Sequence, residues 1–439
     1  MRLPSRVAPP VAAVRSLAAV TLVNTAGDGL FAVGGILFFI HSVGLSAAQV
    51  GFGLTAAGIA ALVVSVPMGR LADRLGPRRV LTVLLCTQGV VTLLYLVAGS
   101  YPSFQVVAVL FAIGNSSAAP ARGALVAQIT KKHVEYRVAS RAFLRSVTNV
   151  GLAIGTLIGG ALIGAGTAGT YDALMVVDAG TYLVAALLLV TLVPATATVS
   201  ASASSPVKTA APTGGATAPR SALRDRPYVV VTVLSGVISL QYDVLPTALP
   251  LWVALQTDVA KGWLGPLLFA NTIIVILFQQ ALARGSRTAD GAALAVRRSG
   301  LWFVGSCALF ALSYHGHAPI ALLVLFGAVV VHSCGELLHA AGGFGLSFGL
   351  GRDGAHGEYQ AVFGLGIGAS RAVAPLVLTG LVIGLGVPGW ILLAALLFVP
   401  GLAMPAAVRW AQRDRTREDA DTADPDPSPR SEEPNHASS

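Results

Sequence analysis

Three carboxylates lie where carboxylates are costly. Asp28, Asp243 and Glu336 each fall inside a long apolar run, and so do two arginines, Arg122 and Arg371. An ionisable side chain held in hydrocarbon costs several kcal/mol and marks an ion or proton pathway by default. Thr21, Asn24 and Asp28 sit at offsets of three and four, on one face of a helix. Ser235, Ser239, Asp243 and Thr247 repeat every four residues, and His332 and His339 flank Glu336 at offsets of four and three. Such an acid can take up a proton on one side of a barrier and release it on the other. It can equally do no more than neutralise an arginine. Arg371 is the obvious partner, nearer in depth to Asp28 and Asp243 than to Glu336 at 1.5 Å of rise per residue. Arg122 could contact substrate, pack, or act with the charged turn near residue 73. Asp178 reads as structural or interfacial. Gln88, Asn115, Tyr242, Asn271 and Gln279 are polar residues that helical faces could turn toward a path.

Other chemistry finds little support. A metal at His332, Glu336 and His339 would need further ligands from other helices, and none is clearly offered. There is no phosphate-cradling loop, nucleotide motif or catalytic triad pattern. The expectation is therefore no metal, no cofactor and no enzymatic activity.

The elements that must hold these groups follow from composition. Of 439 residues, 54% are hydrophobic and only 11% charged, with a mean hydropathy of +0.74. Soluble domains carry about 25% charged residues, so lipid must solvate most of this chain. A net charge of +9 would suit nucleic acid, but the cations sit in short clusters between apolar runs, a pattern that sets membrane orientation. Cys86, Cys307 and Cys334 all fall in apolar segments and read as packing residues.

A spanning helix needs about 20 mostly apolar residues. Twelve candidates occur, at roughly 17–41, 48–68, 79–99, 103–127, 141–166, 172–194, 227–250, 262–283, 296–314, 318–341, 358–386 and 388–408. The first is too long and lacks the cleavage site of a signal peptide. Five parts follow: a tail at 1–16, six helices over 17–194, a flexible Ala-, Ser-, Thr-, Pro- and Gly-rich linker at 195–226, six more helices over 227–408, and a disordered tail at 409–439. If the loops alternate sides, every Lys and Arg except Lys261 and the intramembrane Arg122 and Arg371 falls on one side or at helix ends facing it, Arg145 of helix five among them. That side is the cytoplasm, and both termini lie there.

The densest charge in the first half is Gly69-Arg70-Leu71-Ala72-Asp73-Arg74-Leu75-Gly76-Pro77-Arg78-Arg79. Gly76 can adopt the left-handed conformation that ends a helix, and Pro77 forbids its continuation. This stretch resembles the loop motif of the major facilitator superfamily, Gly-x-Leu-Ala-Asp-Arg-x-Gly-Arg-Lys, with Pro77 displacing the basic pair Arg78 and Arg79 by one. Twelve helices in two sixes around a central linker resemble the same family over nearly the whole chain. The resemblance implies an all-α membrane fold of two six-helix bundles. It also implies that helices one, four, seven and ten line a central cavity, and that Asp73 acts as a gating latch on a neighbouring helix N-terminus.

Helix five carries Gly151, Gly155, Gly159 and Gly160, similar to the exporters' Gly-x-x-x-Gly-Pro-x-x-Gly-Gly, with Thr156 in place of the proline. Every fourth glycine makes a small-residue face for close helix packing. Ala119 to Ala124, Gly335-Glu336 and Asp225-Arg226-Pro227 also look like the 12-helix drug:proton antiporter branch. The implied function is secondary active transport: proton-coupled efflux of small hydrophobic or amphipathic compounds by alternating access. Asp28, Glu336 and Asp243 are the proton-coupling candidates, with Arg371 and Arg122 as charge partners. The expected partners are a small-molecule substrate, H+ and lipid, with no nucleic acid, and the chain is expected to be a monomer in a bacterial plasma membrane. A nutrient importer of the same fold remains open, as does a non-transporting scaffold or sensor.

Overall fold

The computed structural model describes residues 12–130, 137–165, 169–193, 222–282, 286, 288–352 and 356–423. For residues 12, 65–74, 127, 137–139, 141, 142, 280, 282, 356, 357 and 417–423, only the backbone is described. In lipid every backbone polar group must be satisfied within the chain, and this sequence meets that demand with helices. The first half contains α1 (Ala12–His41), α2 (Ala47–Leu75), α3 (Pro77–Leu94), α4 (Tyr101–Ile129), α5 (Arg137–Gly164) and α6 (Thr170–Leu192). The second half contains α7 (Arg226–Ile238), α8 (Leu249–Gln256), α9 (Leu264–Leu282), α10 (Ala289–Leu312), α11 (Ala318–Gly349), α12 (His356–Leu378) and α13 (Val387–Ala423). α7 and α8 are two pieces of one span, so twelve helical rods result. Eleven of them are long and apolar enough to cross a membrane among the described residues. α10 is the expected span outside that set, and it carries Arg297 and Arg298 in its length.

Local chemistry sets the helix ends. Ser46 and Gln49 form a reciprocal cap at the start of α2: the Gln49 amide donates to Ser46 Oγ at 3.2 Å, and Gln49 Oε1 accepts from the Ser46 amide at 2.9 Å. Asp225 caps α7 by accepting from the Tyr228 amide at 3.1 Å, and Pro227 follows in the first turn. Gly76, at φ +89°, is the whole connection between α2 and α3. The charged stretch from Gly69 to Arg79 is thus mostly helix, not loop, and Pro77 starts α3 as well as stopping α2. Arg78 Nη2 donates to the Val190 carbonyl at 2.7 Å, satisfying one of the free carbonyls in the last turn of α6.

The seventh span departs from the expected regular helix. Ser239–Asp243 tightens to a 3-10 turn and Val244–Ala248 widens to a π turn. Pro246 has no N–H to donate and its ring crowds the preceding turn, which accounts for the break. The four-residue face running from Ser235 to Thr247 is therefore not a continuous stripe. At the chain's end, α13 continues past the expected boundary at 408 to Ala423. Arg415 on this extension donates to the Leu350 carbonyl after α11. The remainder of the expected tail, and the expected linker as far as residue 221, lie outside the described residues. Cys307 is buried, Cys334 half-buried and Cys86 exposed on the outer face of α3, so packing accounts for only part of the cysteine set.

Within the first half, α1 packs against α5 and α6, and α4 against α2 and α3. In the second, α10 packs against α11 and α13, and α7 against α12 and α13. The halves meet along two seams, α5 with α9 and α2 with α12. Both gather toward the end that carries the Gly44 turn, away from Gly76. A Cβ on Gly160 would lie 2.6 Å from Gly265 Cα, and one on Gly262 would lie 2.8 Å from Gly164 Cα. On the other seam, a Cβ on Gly58 would lie 2.9 Å from Ala372 Cα, and the Leu376 amide donates to Thr55 Oγ1 at 3.1 Å. Lys261 Nζ reaches His41 Nε2 at 2.9 Å at the same end.

Candidate functional site

The structure gathers the intramembrane charges into two clusters, one in each half. In the first half, α1 is a straight helix, so Asn24 and Asp28 share a face. Asn24 Nδ2 donates to Asp28 Oδ2 at 3.2 Å. Tyr182 of α6 donates its hydroxyl to Asp28 Oδ1, also at 3.2 Å. Arg122 of α4 is the cation whose charge acts on Asp28. These residues line a cavity of about 140 Å³ with Gln88 and Asn115. Both polar atoms of the Gln88 amide are buried without a hydrogen-bond partner. Arg122, Gln88 and Asn115, three candidates drawn from separate stretches of sequence, therefore converge on Asp28.

Asp178, read from the sequence as structural or interfacial, lies near this cluster. It is fully buried on α6, and neither of its carboxylate oxygens has a hydrogen-bond partner. A Cβ on Gly27 would come within 2.5 Å of Asp178 Oδ1, so the acid lies against the backbone one residue from Asp28. The available signal was the four-residue spacing of Asp178 and Tyr182, which puts both on one face of α6.

The second cluster surrounds Arg371 of α12. Its Nε lies 3.8 Å from Asp243 Oδ2. Its side chain is 61% exposed, and an arginine this far along a span faces water-filled space between elements, not hydrocarbon. Arg371 also acts electrostatically on Glu336. Asn271 of α9 donates to Glu336 Oε2 at 3.0 Å and to Ser333 Oγ at 2.9 Å. Tyr242, beside Asp243 in the broken span, feels Glu336, Arg371 and Arg145. Arg145 is exposed on α5, so the first half contributes a charge to this region too. In sequence it had passed for an inner-end orientation residue.

His332 and His339 do not converge with Glu336. His332 Nε2 donates to the Gln241 carbonyl at 3.2 Å, a group that also accepts from the Val244 amide in the 3-10 turn. The His339 ring packs against Tyr242 at 5.6 Å. Among the described residues no three His, Cys, Asp or Glu side chains gather as a metal site.

Helix five's glycines divide between two jobs. Gly151 and Gly155 lie against the backbone of α1 near Leu22 and Ala26, and Gly159 faces Leu30. Gly160 turns the other way, onto α9. Of Gly69, Asp73 and Arg74 only the backbone is described, continuing α2; Arg78 caps α6, and Arg79 is exposed.

Twelve helical rods in two sets of six, with paired charges inside each set, define a multi-pass membrane protein of the transporter class. The sequence matches the Major Facilitator Superfamily over residues 17–352, and the chain belongs to that superfamily. It is a transporter of small molecules, not an enzyme. No curated protein sequence matches the chain. Among solved structures, it is similar in fold to the nucleoside transporter NupG at 12% identity and a TM-score of 0.67, covering 91% of this chain and 99% of that one. A peptide transporter POT in complex with sulfate matches at 15% identity and a TM-score of 0.69, covering 92% and 95%. A bacterial homolog of the human lysosomal transporter Spinster, solved in an inward-facing and occupied conformation, matches at 14% and 0.61, covering 93% and 96%. At these identities the likeness concerns the fold alone.

Proposed function

We propose that this transporter is a proton-coupled exporter of small hydrophobic or amphipathic compounds. It acts as a monomer in a bacterial plasma membrane, with both termini in the cytoplasm. The two halves rock about a central site in alternating access. The observation that carries the reading is a cation set near acids inside both halves: Arg122 lines one cavity with Asp28, and Arg371 lies 3.8 Å from Asp243 and acts on Glu336. Charges so costly to bury are retained where they move an ion or meet a substrate. The seams gathered at the Gly44 end leave the Gly76 end as the open side, facing the cytoplasm where an exporter loads. Asp73 holds one state by pairing with the N-terminus of a neighbouring helix, an attraction of about 0.3–1 kcal/mol. The glycine face of α5 favours export by its likeness to the exporter motif.

The test is ethidium efflux from lipid vesicles holding the purified chain, with and without a proton gradient. Efflux should follow the gradient. Equal rates in both conditions would remove proton coupling, and uptake of a labelled sugar or amino acid with no ethidium efflux would turn the assignment to import. Asp73→Asn should slow the cycle while membrane insertion and ethidium binding persist.

A further inference from the structure

Asp178 has no role in the scheme above, yet it is the most anomalous group in the molecule. It is fully buried and neither oxygen has a partner. Its neighbour Asp28 has the opposite surroundings, accepting from Asn24 and from Tyr182 with Arg122 acting on it. It also borders the cavity, which Asp178 does not. The charges of the two acids act on each other, and two ionised carboxylates repel, so environments that differ in donors push the pair apart in protonation. The site with donors and a cation keeps the negative charge. The site with none keeps the proton, because an unpaired buried anion is the costliest state available.

Among the described residues, the charged and titratable groups that act on the pair fit this division. Arg122 comes from α4 and Tyr182 from α6 itself. The side of α3 turned to the cavity presents Leu85 and Gln88, and α5 meets this part of α1 through Thr156 and Gly155. Two acids and one arginine leave room for one further positive charge.

We propose that Asp28 and Asp178 are a carboxylate pair holding a single proton, which resides on Asp178 in this state and reloads Asp28 when the halves rearrange. In that step the Asp178 O–H bond breaks and an O–H forms on Asp28. Asp28 then yields the proton to water in the cavity, and Asp178 is refilled when the pair next takes up a proton. Asp178 is thus the store and Asp28 the exchange point. The transport part rests on the proton-coupled reading; the location of the proton does not.

Two measurements on the full chain in lipid vesicles test this. Infrared difference spectroscopy should show the carbonyl stretch of a buried, protonated carboxylic acid. Asp178→Asn should remove it, Asp178→Glu should keep it at a shifted frequency, and Asp28→Asn should leave it in place. No such band in the native protein, or a band that survives Asp178→Asn, overturns the assignment. In transport, Asp178→Asn should lower ethidium-driven proton release at least tenfold while ethidium exchange without a gradient continues. Native-like proton release by that variant overturns the store. If the native protein releases no protons with ethidium, the coupling reading falls with the transport part, and the infrared band alone decides where the proton sits.

Discussion

Asp28 in the first half and Asp243 in the second are both acids beside an arginine, but their settings differ. Asp28 sits on an unbroken helix, accepts two side-chain hydrogen bonds, and borders a small cavity lined by residues of its own half. Asp243 sits at the joint of a 3-10 and a π turn, and its Oδ2 has no hydrogen-bond partner. It has instead a long ion pair to an arginine that is 61% exposed. A straight helix can present a donor one turn from an acid and fix it in place. A broken helix loses that register, so its acid must find partners on other helices. The first cluster fixes its acid through two side-chain donors. The second leaves its acid with one long ion pair to a mostly exposed arginine.

This contrast can be broken at several points. The largest effect should come from Asp28→Asn, which removes the exchange point: proton-driven ethidium efflux should fall about 100-fold or more, the scale set by positioned proton-transfer groups. If Asp243→Asn instead has that effect and Asp28→Asn is mild, the roles of the halves are reversed. Tyr182→Phe deletes one donor to Asp28. It should lower thermal stability in detergent by about 1.5–3 kcal/mol, as expected for a hydrogen bond to a charged group. Arg371→Gln should cost less, under about 1 kcal/mol of stability, because solvent screens an exposed pair. It should still weaken equilibrium binding of ethidium, whereas Tyr182→Phe should leave binding intact; equal stability losses in the two variants would erase the distinction. The smallest change should come from Lys261→Gln, within about 0.5 kcal/mol for a surface substitution. Its informative readout is the rate of opening at the Gly44 end, followed by distance labels on α2 and α12, and this should rise.

Much of this arrangement was legible in the chain. Apolar runs and the cation clusters between them carry the helices, since lipid leaves the backbone few alternatives. Asp28 and Asn24 were legible as one face because α1 is straight. Ser235 to Thr247 were misread for the opposite reason: the same spacing was applied across Pro246, where the helical period fails. Asp178 was read as structural or interfacial, and its setting was not legible because what distinguishes it is an absence of partners, a property of the packed state. Tyr182 could be placed on the face of Asp178 by counting, but not opposite Asp28, since contacts between helices are set by tilt and rotation, not by spacing along one of them. Arg145 shows the same limit: a cation on a helix near a cytoplasmic loop looks like an anchor until its neighbour in the other half is known.

The seam between α5 and α9 carries a kinetic consequence. Gly160 and Gly164 meet Gly265 and Gly262 backbone to backbone. Side chains that interlock must recover one rotamer each time two surfaces rejoin, at up to about 2 kcal/mol apiece for long ones. Glycine has no rotamer to recover. Under the proposed rocking of the halves, these two faces part and reseat with no rotamer to recover, and the side chains that must re-form contacts at that end are others, such as Lys261 with His41 and Thr55 with the Leu376 amide.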